Sequence, residues 1–217
     1  MKLVIGNKRY SSWSLRGWLA MKQSGLAFEE VVIPMDTPEF AAAKADAALL
    51  PSGTVPVLWD GDVVVWESLA IIDWLADRVG RDVFWPKDDA ARALARAIAA
   101  EMHAGFANLR RHCPMNTGRT YPSFALTPEV EHDIGRIDAL WREALQGFGG
   151  EGGPYLFGAF GAADIMYAPV VTRFRTYDVP LSGTSEAYVN AVLAHPFMQD
   201  WYAGADAEAW RLDRIEF

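Results

Sequence analysis

The chain has 217 residues, 51% hydrophobic and 22% charged, with a formal net charge of −8 at pH 7. That length suffices for one large domain or two small ones with a substantial core. The acidic balance argues against non-specific nucleic-acid binding, which needs a basic footprint, and no run approaches the roughly 20 apolar residues of a membrane span.

Residues 2–6 (KLVIG) read as a short buried strand. The apolar part of MKLVIGNKRY is too short for a signal peptide, so a cytoplasmic location is expected. Residues 12–24 read as a helix with an apolar side of Trp13, Leu15, Trp18, Leu19 and Met21, and Gly25 suits its C-terminal left-handed position. Residues 28–33 (FEEVVI) read as a second strand, and strand–helix–strand of these lengths predicts a parallel pair. The alanine-rich stretch that follows predicts a short helix over Pro38–Ala47.

Residues 50–72 (LPSGTVPVLWDGDVVVWESLAII) are the most informative part of the chain. They read as a strand from Pro56 to Asp60, a tight Asp60-Gly61 turn of type I′, a strand from Val63 to Trp66, and a helix opening at Glu67-Ser68. Ser68 reads as the N-cap, so free backbone N–H groups gather where a carboxylate binds well. A peptide-like ligand that paired with Val55 along the strand edge would place an acid at Ser68. The helix from Ser68 to Val79 ends at Gly80.

Residues 81–87 (RDVFWPK) read as a linker, and no convincing strand follows. Asp88 or Asp89 caps a long helix whose stripe of Leu94, Ile98, Met102, Phe106 and Leu109 has helical spacing; Pro114 stops it. Its end, EMHAGFANLRRHCPMN (101–116), mixes basic residues with Phe106 and Met115. His103 and His112 are nine residues apart, which puts them on opposite faces of one helix and excludes a metal pair; no other metal-ligand spacing appears. Cys113, the single cysteine, excludes a disulfide framework and reads as a buried filler. Thr127-Pro128 opens a helix carrying Val130, Ile134, Ile137, Trp141, Leu145 and Phe148, and GFGGEGGP (147–154) is a loop. A helix from about Ala162 to Phe174 is apolar nearly all round, hence central. Shorter helices follow near Ser185–Ala194 and Pro196–Tyr202.

Three segments carry a resemblance. The Val55-Pro56 pair with its hairpin and Glu67-Ser68 turn resembles the glutathione-binding half of a cytosolic glutathione S-transferase. YSSWSLRGWL (10–19) is similar to the serine-bearing first helix of the serine-type classes, zeta-like above all. GAFGAADIMYAPV (158–170) resembles the buried helix of the family's second domain. The elements read along the chain give a βαβαββα domain over residues 1–80, a linker over 81–87 and an all-helical domain over 88–217; the resemblance implies that the first is thioredoxin-like and binds glutathione and that the second binds the other substrate. It also implies a homodimer, in which one of Trp13, Trp59, Trp66 and Trp74 is a candidate exposed contact.

The implied chemistry is activation of the glutathione thiol, because the thiolate is the reactive form and a helix N-terminus with a hydroxyl donor favours it. The zeta-like pattern gives this role to Ser11, with supporting hydrogen bonds from Ser12 and Ser14. Tyr10 is a competing donor, and paired serines before a helix equally read as plain capping. Val55 would pair with the cysteinyl backbone across a cis Val55-Pro56 bond, Glu67 would take the γ-glutamyl amine and Ser68 its carboxylate. The second-substrate pocket would be formed by Arg16, Phe106, Arg110, Met115 and Asn116. Arg16 reads either as an attractor of anionic substrate or as a helix-surface charge.

The chain departs from the pattern at three points. Trp13 stands where the zeta pattern has cysteine, Leu50 where an asparagine is usual, and Gly161 where a Ser or Thr cap precedes Asp164. Asp164 is therefore expected to bind loop N–H groups and to serve folding. The expected function is a glutathione transferase acting on a small electrophile, with glutathione as co-substrate and no metal. Two alternatives are a glutathione-dependent cis–trans isomerase, which Trp13 weakens, and a non-catalytic binding protein of the same fold.

Overall fold

The structure is a computed structural model and describes residues 1–150 and 152–216. Glu151 of the glycine-rich loop and Phe217 of the C-terminal tail lie outside the described residues.

The N-terminal part runs β1 (Lys2–Ile5), α1 (Ser12–Ser24), β2 (Glu29–Val32), α2 (Pro38–Ala45), β3 (Val57–Asp60), β4 (Val63–Trp66) and α3 (Ser68–Val79), the expected βαβαββα order. The sheet order is β2-β1-β3-β4, with β1 and β2 parallel and the pairs β1–β3 and β3–β4 antiparallel. Side chains alternate across it. Leu3, Ile5 and Leu58 face the main core with residues of α1 and α3, whereas Val4 and Val57 pack with Ile33, Ala43 and Leu50 on the α2 side. The hairpin differs from expectation. Asp60 pairs with Val63, so the turn residues are Gly61 and Asp62, and of the two only Gly61 has positive φ, at 61°. That sign pattern belongs to a II′ turn, which needs glycine first, and not to I′.

The helical part comprises α4 (Asp89–Ala104), α5 (Ala107–His112), α6 (Pro128–Phe148), α7 (Ala162–Thr176), α8 (Gly183–Ala194) and α9 (Pro196–Ala207). The long helix expected to run through Phe106 and Leu109 is two helices. Gly105 closes α4 onto the Glu101 carbonyl at 2.7 Å, and Phe106 adopts a left-handed φ of 56° that turns the chain into α5. Every residue of α7 except Arg175 is buried, as its all-round apolar sequence requires. Residues 81–87 are the segment expected as a linker. They hold a 3₁₀ turn at Arg81–Val83, Phe84 and Trp85 are buried, and the Phe84 carbonyl accepts the first α7 N–H, from Ala162, at 2.8 Å. No helix among the described residues is long and apolar enough to cross a membrane.

Candidate glutathione site

Three elements meet here. α1 lies across the start of β3, and Gly17 allows the approach: a Cβ there would lie 2.7 Å from Pro56. Val55-Pro56 is cis, and Val55 makes no hydrogen bond within the described residues, so its N–H and C=O stand ready for an added strand. Beyond β4, Glu67 has φ 70° and ψ 124°, a sparsely populated conformation for a residue with a side chain. It is the N-cap of α3, although Ser68 was expected there. Ser68 is the first helical residue, fully buried, and its hydroxyl donates to the Met166 sulfur at 3.9 Å. A carboxylate reaches that hydroxyl only if the side chain rotates off Met166.

The serines at the head of α1 divide their work. Ser11, almost wholly buried, is the N-cap. Its hydroxyl accepts the Ser14 N–H at 3.3 Å and donates to Ser14 Oγ at 2.7 Å, while Ser14 Oγ accepts the Gly6 N–H at 2.9 Å. Ser12 is partly exposed, and its Oγ accepts Nη2 of Arg173 at 3.3 Å. Tyr10 is engaged elsewhere: its hydroxyl donates to Glu216 of the C-terminal tail at 2.6 Å. Burial first and then that bond push its pKa above the ordinary tyrosine value.

Next to the serines lies a cluster of cations that sequence reasoning missed in part. Arg16 is not a surface charge. It is fully buried, donates to the Met166 carbonyl at 3.0 Å and lies 4.9 Å from the Trp13 ring centroid. Arg110 lies 5.7 Å from the same ring. Arg173, on α7, donates to the Cys113 and Pro169 carbonyls. Burial, then Arg173, pull the Arg16 pKa down to about 9; burial pulls Arg173 down to about 10, with Arg110 acting in the same direction. Both remain charged at pH 7. Trp13 also meets His103 edge-on, with centroids 5.2 Å apart, and His103 Nε2 lies 3.6 Å from Glu67. Burial chiefly lowers the His103 pKa. Arg173 and His103 were legible only as basic residues; Arg173 reaches α1 because α7 packs against it, and His103 meets Trp13 because α4 packs on α7.

The expected second-substrate residues separate. Arg110 borders an open cavity of about 640 Å³ shared with Arg111, His112, Pro114 and Arg214. Phe106, Met115 and Asn116 are buried instead. Asn116 lies beneath the C-terminal tail, and its amide donates to the Ile215 carbonyl and to Glu216. The tail therefore covers what was expected to be pocket wall. A cavity of about 540 Å³ runs beside Glu67, Asp73, Arg96 and His103. A larger one, about 790 Å³, lies at the 81–87 segment and involves none of the candidate residues. Among the described residues no group of three or more His, Cys, Asp or Glu is placed to hold a metal.

A family model described as the glutathione S-transferase N-terminal domain matches residues 10–78, and one described as the C-terminal domain matches residues 61–204. The chain is 27% identical over 205 residues to glutathione S-transferase GstB of Escherichia coli K12, covering 88% of this chain and 89% of that protein. It is 36% identical over 92 residues to glutathione S-transferase Z2 of Arabidopsis thaliana, covering 40% of each. Among solved structures, a zeta-class bacterial maleyl pyruvate isomerase superposes with a TM-score of 0.72 at 23% identity, covering 97% of this chain and all of that one. A glutathione transferase homologue from Burkholderia GL BGR1, with bound glutathione, gives 0.70 at 20% identity, covering 95% and 98%. The extent of the family match, across both its N-terminal and C-terminal models, places this chain in the glutathione S-transferase family.

Proposed function

We propose that this protein is a glutathione transferase that binds glutathione along β3 and the head of α3 and transfers its thiolate to a small electrophile. The observation that carries the reading is the pairing of an unbonded Val55 backbone with a conformationally strained, half-exposed Glu67. The first suits a peptide and the second holds a carboxylate beside a helix N-terminus, where a γ-glutamyl group offers both an amine and an acid. In this reading residues 1–80 bind glutathione, 81–87 connect, and 88–217 supply the electrophile pocket, of which Arg110 is the open member. Cytoplasmic location fits the free Cys113. A homodimer fits the exposed Val63 and Trp66 on β4.

Arg16, Arg110 and Arg173 favour one second reading. Arg16 and Arg110 against Trp13 and Arg173 against Ser12, with Arg16 and Arg173 buried and without an acidic partner among the described residues, suit an electrophile that carries a carboxylate. Glutathione-dependent isomerisation of an unsaturated acid is such a reaction.

Calorimetric titration with reduced glutathione tests both readings at their common step. The intact protein is expected to bind in the micromolar-to-millimolar range, about 4–8 kcal/mol. A Glu67→Ala, Ser68→Ala double variant is expected to lose at least tenfold in affinity, about 1.4 kcal/mol. No binding by the intact protein would leave a non-catalytic protein of this fold.

A further inference from the structure

Three donors from the body of the protein converge on one carboxylate of its own tail. The Tyr10 hydroxyl donates to Glu216 Oε1 at 2.6 Å, the Asn116 amide donates to the same oxygen at 3.2 Å, and Arg119 Nε donates to Oε2 at 2.8 Å. One oxygen is held by two neutral donors and the other by a cation, an arrangement suited to receiving an acid. Burial opposes ionisation of Glu216, but the bonds from Tyr10, Arg119 and Asn116 outweigh it and keep its carboxyl below the ordinary range.

Two of the donors are fixed from the body side. Asn116 is fully buried; its side-chain oxygen accepts the Gly118 N–H at 3.0 Å, and its carbonyl accepts the Thr176 hydroxyl at 2.8 Å. Tyr10 stands in the turn that leads into α1, which the Ser11 N–H closes onto the Asn7 carbonyl at 2.9 Å. The tail is more lightly attached. Glu208 anchors its start on the Lys8 and Arg9 N–H groups. Beyond that, Leu212 and Ile215 pack with Tyr10 and Met35 in a small cluster apart from the main core. The Arg214–Asp36 pair is exposed on both sides, where an ion pair holds little. The place is also suited to a substrate. Tyr10 precedes the serines of α1, and Arg214 and Ile215 of the tail wall the open cavity of about 640 Å³ that Arg110, Pro114 and Phe124 share.

Resting on the transferase reading above, we propose that Tyr10, Asn116 and Arg119 form a carboxylate seat for the electrophile, which the tail's own Glu216 occupies until the substrate displaces it. The acid of the electrophile exchanges with Glu216, its apolar body lies against Pro114 and Phe124, and the tail beyond Glu208 moves aside. Only hydrogen bonds and ion pairs are exchanged. A neutral electrophile has nothing to exchange and meets the tail as a barrier.

The test uses benzoate, a carboxylate on a flat apolar body, with neutral benzamide as control. Affinity is measured by calorimetry, tail opening by amide hydrogen exchange over residues 209–216, and folding by thermal melts. An occupied seat weakens apparent affinity by the fraction of molecules in which it is open, so Glu216→Gln, which keeps the shape and removes the charge, is expected to bind benzoate about tenfold more tightly or better. Arg119→Met added to Glu216→Gln is expected to remove that gain, and benzamide is expected to show none. In the wild type, benzoate is expected to raise exchange in the tail and benzamide to leave it unchanged. A merely structural Glu216 gives a lower melting temperature in Glu216→Gln with no gain in affinity. Equal benzoate affinity in wild type and Glu216→Gln, or tail exchange that benzoate leaves unchanged, overturns the seat even where glutathione binds. Benzoate displaced by glutathione gives the seat to a glutathione carboxylate and overturns its assignment to the electrophile. Absence of glutathione binding by the intact protein overturns the transferase reading, and with it the electrophile, whatever benzoate does.

Discussion

Asp164 sits fully buried at the first turn of α7, where one oxygen accepts the Leu156 N–H at 3.1 Å and the other the Gly161 N–H at 2.9 Å. Burial outweighs those bonds and raises its pKa from 3.8 to about 6. The native state therefore holds the proton more tightly than the unfolded chain. This contribution is complete below the unfolded pKa near 4 and is lost as pH rises to about 6, a difference on the order of 3 kcal/mol. Denaturant melts of wild type and Asp164→Asn at several pH values check it: the gap between the two is expected to change from pH 4 to pH 6, and parallel curves would reject the assignment. Cys113 is the opposite kind of buried group, a fully enclosed thiol pushed up to about 11 mainly by burial. It is expected to resist a maleimide reagent at neutral pH until the protein is unfolded; fast labelling of the native chain would contradict that burial.

At the scale of elements, α1 does most to assemble the site. It caps itself through Ser11, crosses Pro56 at Gly17, and carries Ser12, Trp13 and Arg16 toward α4, α5 and α7. Gly17→Ala places a Cβ 2.7–2.8 Å from two ring carbons of Pro56. Neither a helix nor a proline ring yields easily, so a loss of about 1–3 kcal/mol in stability is expected, with weaker glutathione binding as Val55 is displaced. An unchanged melting curve would show that α1 and β3 can separate without cost. Losing the Ser11 cap is expected to cost about 1 kcal/mol. Most of these element boundaries were legible, because caps and stops are local: Pro38 opening α2, Asp88 before α4 and Gly25 after α1 all act within one turn. The break at Gly105–Phe106 was not. The apolar stripe runs through it unbroken, and a bulky residue in the left-handed region leaves no signature in a hydrophobic period.

Across the whole molecule, one hydrophobic cluster runs from Leu3, Leu15 and Leu58 through Ile71 and Phe84 to Trp141, Tyr167 and Trp201. The sheet-bearing and helical parts thus share a core, and Phe84 and Trp85 lie inside it. Calorimetry is expected to give one cooperative unfolding transition; two resolved transitions would mean that the parts are stable separately. The tail closes the same circuit. Glu216 joins Tyr10, Asn116 and Arg119, and Arg214 pairs with Asp36 at 2.8 Å, so the tail is fastened beside the head of α1.

The amino-acid sequence by itself determined the βαβαββα order, the central apolar helix, the Val55–Ser68 segment and the presence of serines at a helix start. Each of these is written in neighbours within a turn or a hairpin, where periodicity and capping chemistry operate. Tertiary structure alone decided that Arg16 lies buried against the Met166 carbonyl, that buried Arg173 meets Ser12, and that Tyr10 and Asn116 are taken up by the tail. Those outcomes join residues about 100 to 200 positions apart, such as Arg173 with Ser12 and Tyr10 with Glu216. A hydrogen bond or a buried charge at that separation is set by how helices pack, and no local pattern encodes it.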